Sequence, residues 1–181
     1  MALFAFLFAL LLFFPRVSCA QAVFGKNKVQ YSDFDWFQTH GRYVTVYFYS
    51  EEREIAGQAL ALAEAACAML SESLHHEPAK RIPLALYSSP VDFQQSNIVP
   101  FLLPEEVAGL TEFARGRIMV PYTGSFFRFK WVLLHELTHA FMMDKIDAVL
   151  RAKGRPLNYY PPLWFSEGLA EYMSAEQTPR M

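Results

Sequence analysis

The stretch WVLLHELTHAF, residues 131–141, places two histidines, a glutamate and a threonine inside an otherwise apolar run. Polar side chains are costly to bury unless something pairs with them. The apolar flanks WVLL and AFMM nevertheless predict a central helix that is buried nearly all round. The four polar residues therefore need an organising partner inside the fold.

A metal ion is the partner that this spacing suits. His135 and His139 are four residues apart, so on a helix their imidazoles lie on one face and can converge on one ion. Zinc accepts imidazole nitrogen well, and Glu136 points to an adjacent surface from which it can reach a metal-bound water. This is the H-E-x-x-H pattern of two ligands and a general base. The plainer alternative is a helix whose histidines are capped or face solvent, and the apolar flanks argue against it.

A third ligand is predicted from WFSEGLAEY, residues 164–172, because catalytic zinc usually has three protein ligands and one open position. Glu167 follows His139 by 28 positions, which leaves room for a loop and a return helix. Glu171 lies one turn beyond Glu167, where its carboxylate can accept an imidazole N–H and fix the tautomer of a ligand. The alternative is that both glutamates are solvated surface charges, although the aromatic residues around them indicate a packed helix.

The rest of the chain predicts an α+β fold in which a small mixed sheet packs on helices. Strands are predicted at residues 43–49, 82–87 and 116–121, and helices at residues 53–74, 126–150 and 163–174. The first helix is expected to be amphipathic, with an apolar face formed by Ile55, Ala59, Leu62, Ala66, Leu70 and Leu74. Ser125 is the predicted N-cap of the helix that carries the histidines. Pro83 favours an edge strand or an early strand position. The segment PEEVAGLTEFA, residues 104–114, predicts a short helix or turn.

Composition excludes some classes of function. The chain has 181 residues, is 53% hydrophobic and carries a formal net charge of −2, without a cluster of Lys or Arg that would indicate a nucleic-acid surface. One domain with a real core is expected, and binding of nucleic acid is not. Cys67 lies in an Ala-rich helical segment and is interpreted as a small core residue.

The N-terminus predicts export. Residues 1–14 are an unbroken apolar run, followed by Pro15 and the small-residue segment VSCAQA. This pattern predicts a signal peptide over residues 1–20, and hence a periplasmic or secreted protein. Cleavage after Ala22 is an alternative. A second alternative is that the segment is not cleaved and anchors the protein, and membrane association is expected only in that case. With cleavage after Ala20 a single cysteine remains, so no intrachain disulfide is expected.

Together, HELTH and WFSEGLAEY resemble the gluzincin group of zinc metallopeptidases, whose third ligand is a glutamate on a second helix. The closer resemblance is to exported bacterial proteins with a gluzincin-like (peptidase MA-like) domain, several of which place it before a TolB-type β-propeller. Residues 24–36 and 116–125 also resemble that group. The resemblance implies a zincin-like N-terminal lobe with a central HExxH helix, spanning residues 21–181 and truncated at its C-terminal end.

The resemblance also implies roles for single residues. The ligands of Zn²⁺ would be His135, His139 and Glu167. Glu136 would be the catalytic base and later the proton donor. Glu171 would accept a hydrogen bond from the imidazole of a ligand. The reaction would be hydrolysis of a peptide or protein substrate.

Three further expectations concern the surroundings of the site. Strand 116–121 would be the edge strand beside the cleft, where an extended peptide adds as a strand. Tyr122, Tyr159 and Tyr160 are alternative donors to the oxyanion, and the sequence does not choose among them. The alternative function is a catalytically inactive zinc-bearing envelope module that binds proteins or a β-propeller partner.

Overall fold

A computed structural model describes residues 33–96, 107–113, 115–157 and 159–177. The predicted signal peptide, residues 1–20, lies outside the described residues, as do residues 24–32 of the segment that resembles the exported peptidases. Within the described ranges, no helix combines the length and the apolar character needed to cross a membrane.

The described residues form five strands and four α-helices, which confirms the predicted α+β class. The strands are β1 (Phe37–His40), β2 (Val44–Phe48), β3 (Ile82–Tyr87), β4 (Leu110–Glu112) and β5 (Arg117–Pro121). The helices are α1 (Arg53–Leu74), α2 (Pro90–Gln94), α3 (Phe126–Ala152) and α4 (Leu163–Gln177). A 3-10 turn, Ser50–Glu52, leads into α1. The sequence had predicted three of these strands and three of these helices, but not β1, α2 or β4.

The five strands form one mixed sheet in the order β1-β2-β3-β5-β4. The three central strands are parallel, and β1 and β4 pair antiparallel at the two ends. The prediction that residues 116–121 form the edge strand is therefore wrong, because β5 pairs with β3 on one side and with β4 on the other. The outer position belongs to β4, whose three residues are too few to show a strand pattern in sequence. Of the two positions predicted for Pro83, the structure shows the early strand position, because β3 is a central strand and not an edge strand.

Alternation along the central strands separates two apolar layers, as the two-residue period of a strand requires. One face packs against α1 and α3, and its buried side chains come from alternate positions: Val44, Val46, Leu84, Leu86, Ile118 and Val120. On the opposite face, Tyr49, Tyr87, Phe93 and Met119 form a smaller cluster. The larger layer is the one that supports α3, and so it fixes the position of the histidines.

Helix α1 has the predicted bounds but rests on smaller side chains than expected. Its buried face consists mainly of alanines, together with Cys67 and Leu70, whereas Ile55, Leu62 and Leu74 are only partly buried. The burial of Cys67 confirms its interpretation as a core residue.

Helix α3 begins at the predicted residue and ends at Ala152, two residues beyond the predicted end. The Ser125 hydroxyl accepts a hydrogen bond from the Arg128 backbone N–H at 3.3 Å, which confirms the N-cap. Most residues between Val132 and Met143 are buried. Just beyond the helix, Gly154 adopts a φ of 61°, a left-handed conformation that glycine reaches without a steric penalty. The chain then turns, and α4 packs back against α3.

Candidate metal centre

Two helices bring three candidate ligands together. His135 and His139 lie one turn apart on α3, and their Nε2 atoms are 3.2 Å from each other. Glu167 on α4 faces both rings: Oε2 lies 3.3 Å from His135 Nε2, and Oε1 lies 3.6 Å from His139 Nε2. These residues are the one group among the described His, Cys, Asp and Glu side chains whose geometry suits a metal ion.

The three residues lie close enough together to contact one ion. Zinc bonds of about 2.0–2.1 Å at tetrahedral angles place neighbouring ligand atoms about 3.3 Å apart. The two histidine nitrogens, 3.2 Å apart, match that value, and each Glu167 oxygen lies near a different histidine. With one ligand atom taken from each residue, all three atoms lie within 4.8 Å of one another. Both histidines are largely buried, while the side chain of Glu167 is 46% exposed, so the group is open to solvent on the side of α4. Burial on the side of the histidines and exposure on the side of Glu167 are what a zinc site with a free fourth coordination position needs.

Burial favours the form of His139 that can bind a metal. Removal from water lowers the pKa of this imidazole, and the neighbouring His135 ring lowers it further. The carboxylate of Glu167 opposes both effects. A neutral imidazole has a free nitrogen lone pair, which is the form that coordinates zinc.

The orientation of the two rings comes from aromatic packing. Trp131 lies beside His135 with ring centroids 5.3 Å apart, and Phe113 meets His139 edge-on at 5.9 Å. The Nδ1 atoms of both histidines are buried and have no hydrogen-bond partner among the described residues. Glu171 is exposed on α4, so the structure does not bring the predicted supporting carboxylate to either imidazole.

A hydrogen bond from strand β4 of the sheet fixes the side chain of Glu136. Its side chain is buried, and the Thr111 hydroxyl on β4 lies 2.6 Å from Oε2 and 3.0 Å from the Glu136 carbonyl oxygen. Burial raises the pKa of Glu136 to about 7; the hydrogen bond from Thr111 acts against this rise, and the negative charge of Glu167 adds to it. That effect of Glu167 indicates that Glu136 lies close to the candidate ligands.

Close approach between β4 and α3 depends on a glycine. A Cβ atom on Gly109 would lie 2.7 Å from Val132 Cγ1 and 3.0 Å from Glu136 Oε1. Any larger residue would therefore push the strand away from the base. The sequence carried no signal for Thr111 or Gly109, because both act on Glu136 across more than twenty positions of chain. Thr111 lies in the unpredicted strand β4, and Gly109 directly precedes it.

The three candidate tyrosines have different environments. Tyr160 lies 6.3 Å from Phe113 between ring centroids, and through Phe113 it is linked to His139. Tyr159 lines an apolar groove between α3 and α4. The Tyr122 hydroxyl donates to the Gly124 carbonyl at 3.4 Å, near the start of α3. Tyr160 is thus the candidate that the structure connects to the centre.

Comparisons of this chain with protein-family models, with curated proteins and with solved structures found no match. The function of this chain is therefore inferred from the geometry and chemistry of the site itself.

Proposed function

We propose that this chain is an exported zinc-dependent metallopeptidase that hydrolyses peptide bonds. The observation that carries the proposal is the convergence of His135, His139 and Glu167, whose ligand atoms, one from each residue, lie within 4.8 Å of one another. Glu136 strengthens it, because a glutamate next to the first histidine is the residue that an HExxH peptidase uses as its base.

His135, His139 and Glu167 would hold the ion. Bound there, zinc would supply a Lewis acid for the scissile carbonyl and a water whose pKa is lowered toward about 7. The two imidazoles are neutral ligands, and Glu167 contributes one negative charge. Zinc in this shell would keep a net positive charge, as a Lewis acid needs.

Glu136 would move the proton. Its carboxylate accepts a proton from the attacking water and passes it to the leaving amine. A base is most effective when its pKa is near the working pH. In the metal-free protein, burial raises the pKa of Glu136 to about 7, and the positive charge of a bound zinc ion would lower this pKa. Thr111 restricts the orientation of the carboxylate, so less freedom is lost when the proton moves.

Strand β4 supports a peptide as the substrate. It is one of the two edge strands of the described sheet, and it lies directly beside α3 at Glu136. An extended peptide can add to such an edge through its main chain, which would place a peptide bond along the open side of the centre. Tyr160 is the proposed donor to the oxyanion.

Export is proposed from the sequence of residues 1–20. An envelope protein or a β-propeller remains the proposed class of partner, and binding of nucleic acid is not proposed.

The test combines zinc stoichiometry with cleavage of a mixed peptide library followed by mass spectrometry. Four proteins are compared: the wild type, Glu136→Gln, Glu167→Ala and, as a matched control on the same helix, Glu171→Ala. We expect one zinc per chain in all except Glu167→Ala. Cleavage should persist in Glu171→Ala and fall by about 10²–10⁴-fold in Glu136→Gln.

Each result separates the candidate functions. Zinc bound without cleavage by the wild type would instead support the inactive zinc-bearing module. Failure of the wild type to bind zinc would reject the metal site. Loss of zinc in Glu171→Ala but not in Glu167→Ala would assign the third ligand to Glu171 instead.

A further inference from the structure

The connection between α3 and α4 has a charge pattern unlike that of the rest of the chain. Residues 151–165, RAKGRPLNYYPPLWF, contain three of the 16 Lys and Arg residues and none of the 18 Asp and Glu residues. Every described residue in this range is exposed except Pro161, which is half-buried. Residues 151–165, here called the connection surface, therefore carry a net positive charge in a protein whose net charge is −2. Carboxylates lie nearby only on the side of Arg151, which lines a pocket together with Glu77, Asp144 and Asp147.

Large apolar side chains share the connection surface with these cations. Trp164 is 76% exposed and Leu163 is 73% exposed. Four more apolar or aromatic residues of the range are also exposed: Leu157, Tyr159, Tyr160 and Phe165. Single exposed apolar residues are ordinary, but a contiguous group of this size marks an interaction site.

An apolar groove of about 550 Å³ adjoins the connection surface. It lies between α3 and α4, and Tyr159 and Phe165 belong to both features. Its other lining residues are aliphatic, apart from Lys145, whose ammonium group donates to the Leu74 carbonyl. No carboxylate lines the groove, so an acyl chain or another apolar group would meet no acidic side chain there.

We propose that the connection surface docks this protein on an anionic lipid membrane. Lys153 and Arg155 would contact lipid phosphates, and each cation near such a surface contributes to the attraction. Trp164 and Leu163 would enter the boundary between headgroups and acyl chains. Tyrosine and tryptophan suit that boundary because each has an apolar ring and a polar group.

Charge argues against a second copy of this chain as the occupant. A two-fold dimer brings the same surface of each subunit together. The three cations of one copy would then face those of the other, without a carboxylate from residues 151–165 to compensate them. An anionic lipid surface supplies the opposite charge and also accepts protruding apolar side chains, which a flat acidic protein surface does not.

The test must report on the connection surface itself, because the apolar residues 1–14 can bind lipid independently. The chain has three tryptophans, so the emission of Trp164 is obtained as the difference between the wild type and Trp164→Phe. Vesicles of phosphatidylcholine with brominated acyl chains, with or without about 30% phosphatidylglycerol, then reveal whether this side chain reaches the acyl region. The readout needs no peptidase activity.

We expect quenching of Trp164 in the anionic vesicles, little in the neutral ones, and a decrease as salt is added. The double variant Lys153→Gln, Arg155→Gln should weaken the quenching by about tenfold or more in lipid concentration. The matched control Arg53→Gln, Arg128→Gln removes two exposed cations elsewhere and should leave the quenching unchanged.

Three outcomes would overturn the proposal. The first is an unquenched Trp164 on a chain that sediments with vesicles, since residues 1–14 would then account for the binding. The second is an equal effect of the two double variants. The third is a dimer in the absence of lipid that Trp164→Ala dissociates, which would assign the connection surface to a second copy.

Discussion

Thr111 is the residue on which the orientation of Glu136 depends. Its hydroxyl has one proton, and the shorter of its two contacts, 2.6 Å, is to the carboxylate oxygen rather than to the carbonyl. A hydrogen bond to a charged group contributes about 1.5–3 kcal/mol, more than a neutral one. Thr111 therefore acts on the proposed reaction through Glu136 and has no contact with the metal ligands.

Replacing Thr111 tests this role. In Thr111→Val the methyl groups keep the shape of the side chain, but Glu136 loses its hydrogen bond and gains rotational freedom. We expect kcat to fall by about tenfold with little change in KM, because the base acts in the chemical step. Steady-state kinetics on one library peptide measure both constants. Thr111→Ser should restore kcat, and zinc stoichiometry should stay at one per chain; loss of zinc in Thr111→Val would indicate a structural role instead.

Glu52 makes folding stability depend on pH. Its side chain is 2% exposed, and Oε2 has no hydrogen-bond partner among the described residues. Burial raises the pKa of Glu52 to about 7, and the charge of Glu51 adds to this effect. Between about pH 4.5 and 7 the folded chain keeps the proton that the unfolded chain releases. The free energy of unfolding therefore falls as the pH rises through this window.

Glu52→Gln should remove this contribution. At pH 8 the variant should be more stable than the wild type by up to about 3 kcal/mol, because no buried carboxyl has to ionise. Near pH 4.5 the two proteins should differ little. Urea unfolding at both pH values measures the effect, with the exposed Glu54→Gln as control. A gain of the same size at both pH values would attribute it to packing rather than to ionisation.

At the residue scale, the sequence predicted what lies within one turn of helix. His135, Glu136 and His139 were predicted because the period of a helix places them without knowledge of the fold. Glu167 depended on the resemblance as well as on chain length, and the structure brings it to both histidines. Glu171 shares the helical spacing of Glu167 but is exposed. Helical spacing shows that two side chains point in similar directions. It does not show which of the two faces the neighbouring helix.

Helix α1 shows what hydrophobic periodicity leaves open at the scale of an element. The bounds of α1 were predicted, but its buried face was assigned partly to leucines that lie at the margin. Ala59 and Ala63 are fully buried instead. Small side chains let a helix approach a sheet closely, and packing then contributes more than the area of each residue suggests.

Enlarging the alanine face tests this packing. Ala63→Leu adds three carbon atoms to a filled interior and should lower the free energy of unfolding by about 1–3 kcal/mol. Ala61→Leu, on the exposed face of the same helix, makes the same chemical change and should stay within about 0.5 kcal/mol of the wild type. Urea unfolding of both variants at one pH provides the comparison. Equal effects would mean that α1 is not packed through its alanines.

Strand β4, unlike helix α1, could not be predicted from its own sequence, because it forms only through contacts with other elements. Its three residues have no pattern of their own, and the segment had been predicted as a helix or turn. β4 exists because β5 offers a free edge and because Gly109 lets the chain approach α3. The element that supports Glu136 was therefore absent from the sequence-based prediction, although the helix that carries Glu136 was predicted well.

At the scale of the whole molecule, the candidate centre connects a buried helix to an exposed one. Helix α3 lies in the core, whereas α4 buries only part of its surface, including Ser166, Ala170 and Met173. The ligands from α3 and α4 meet at a single point. A metal held there would link the last described helix to the sheet-supported core, so metal binding and the docking of α4 should be coupled.

Removal of zinc should therefore loosen α4 more than the rest of the molecule. A ligand present at about a thousand times its Kd stabilises the folded state by about 4 kcal/mol, so a chelator should lower the Tm of the zinc-loaded wild type by several degrees. Chymotrypsin should then cleave faster at the exposed aromatic residues of α4, Trp164, Phe165 and Tyr172. Differential scanning fluorimetry and timed proteolysis measure the two effects. Glu167→Ala should show no response to the chelator, whereas Glu171→Ala should respond as the wild type does; a uniform increase in cleavage across all elements would instead mean that zinc stabilises the whole domain and does not act through α4.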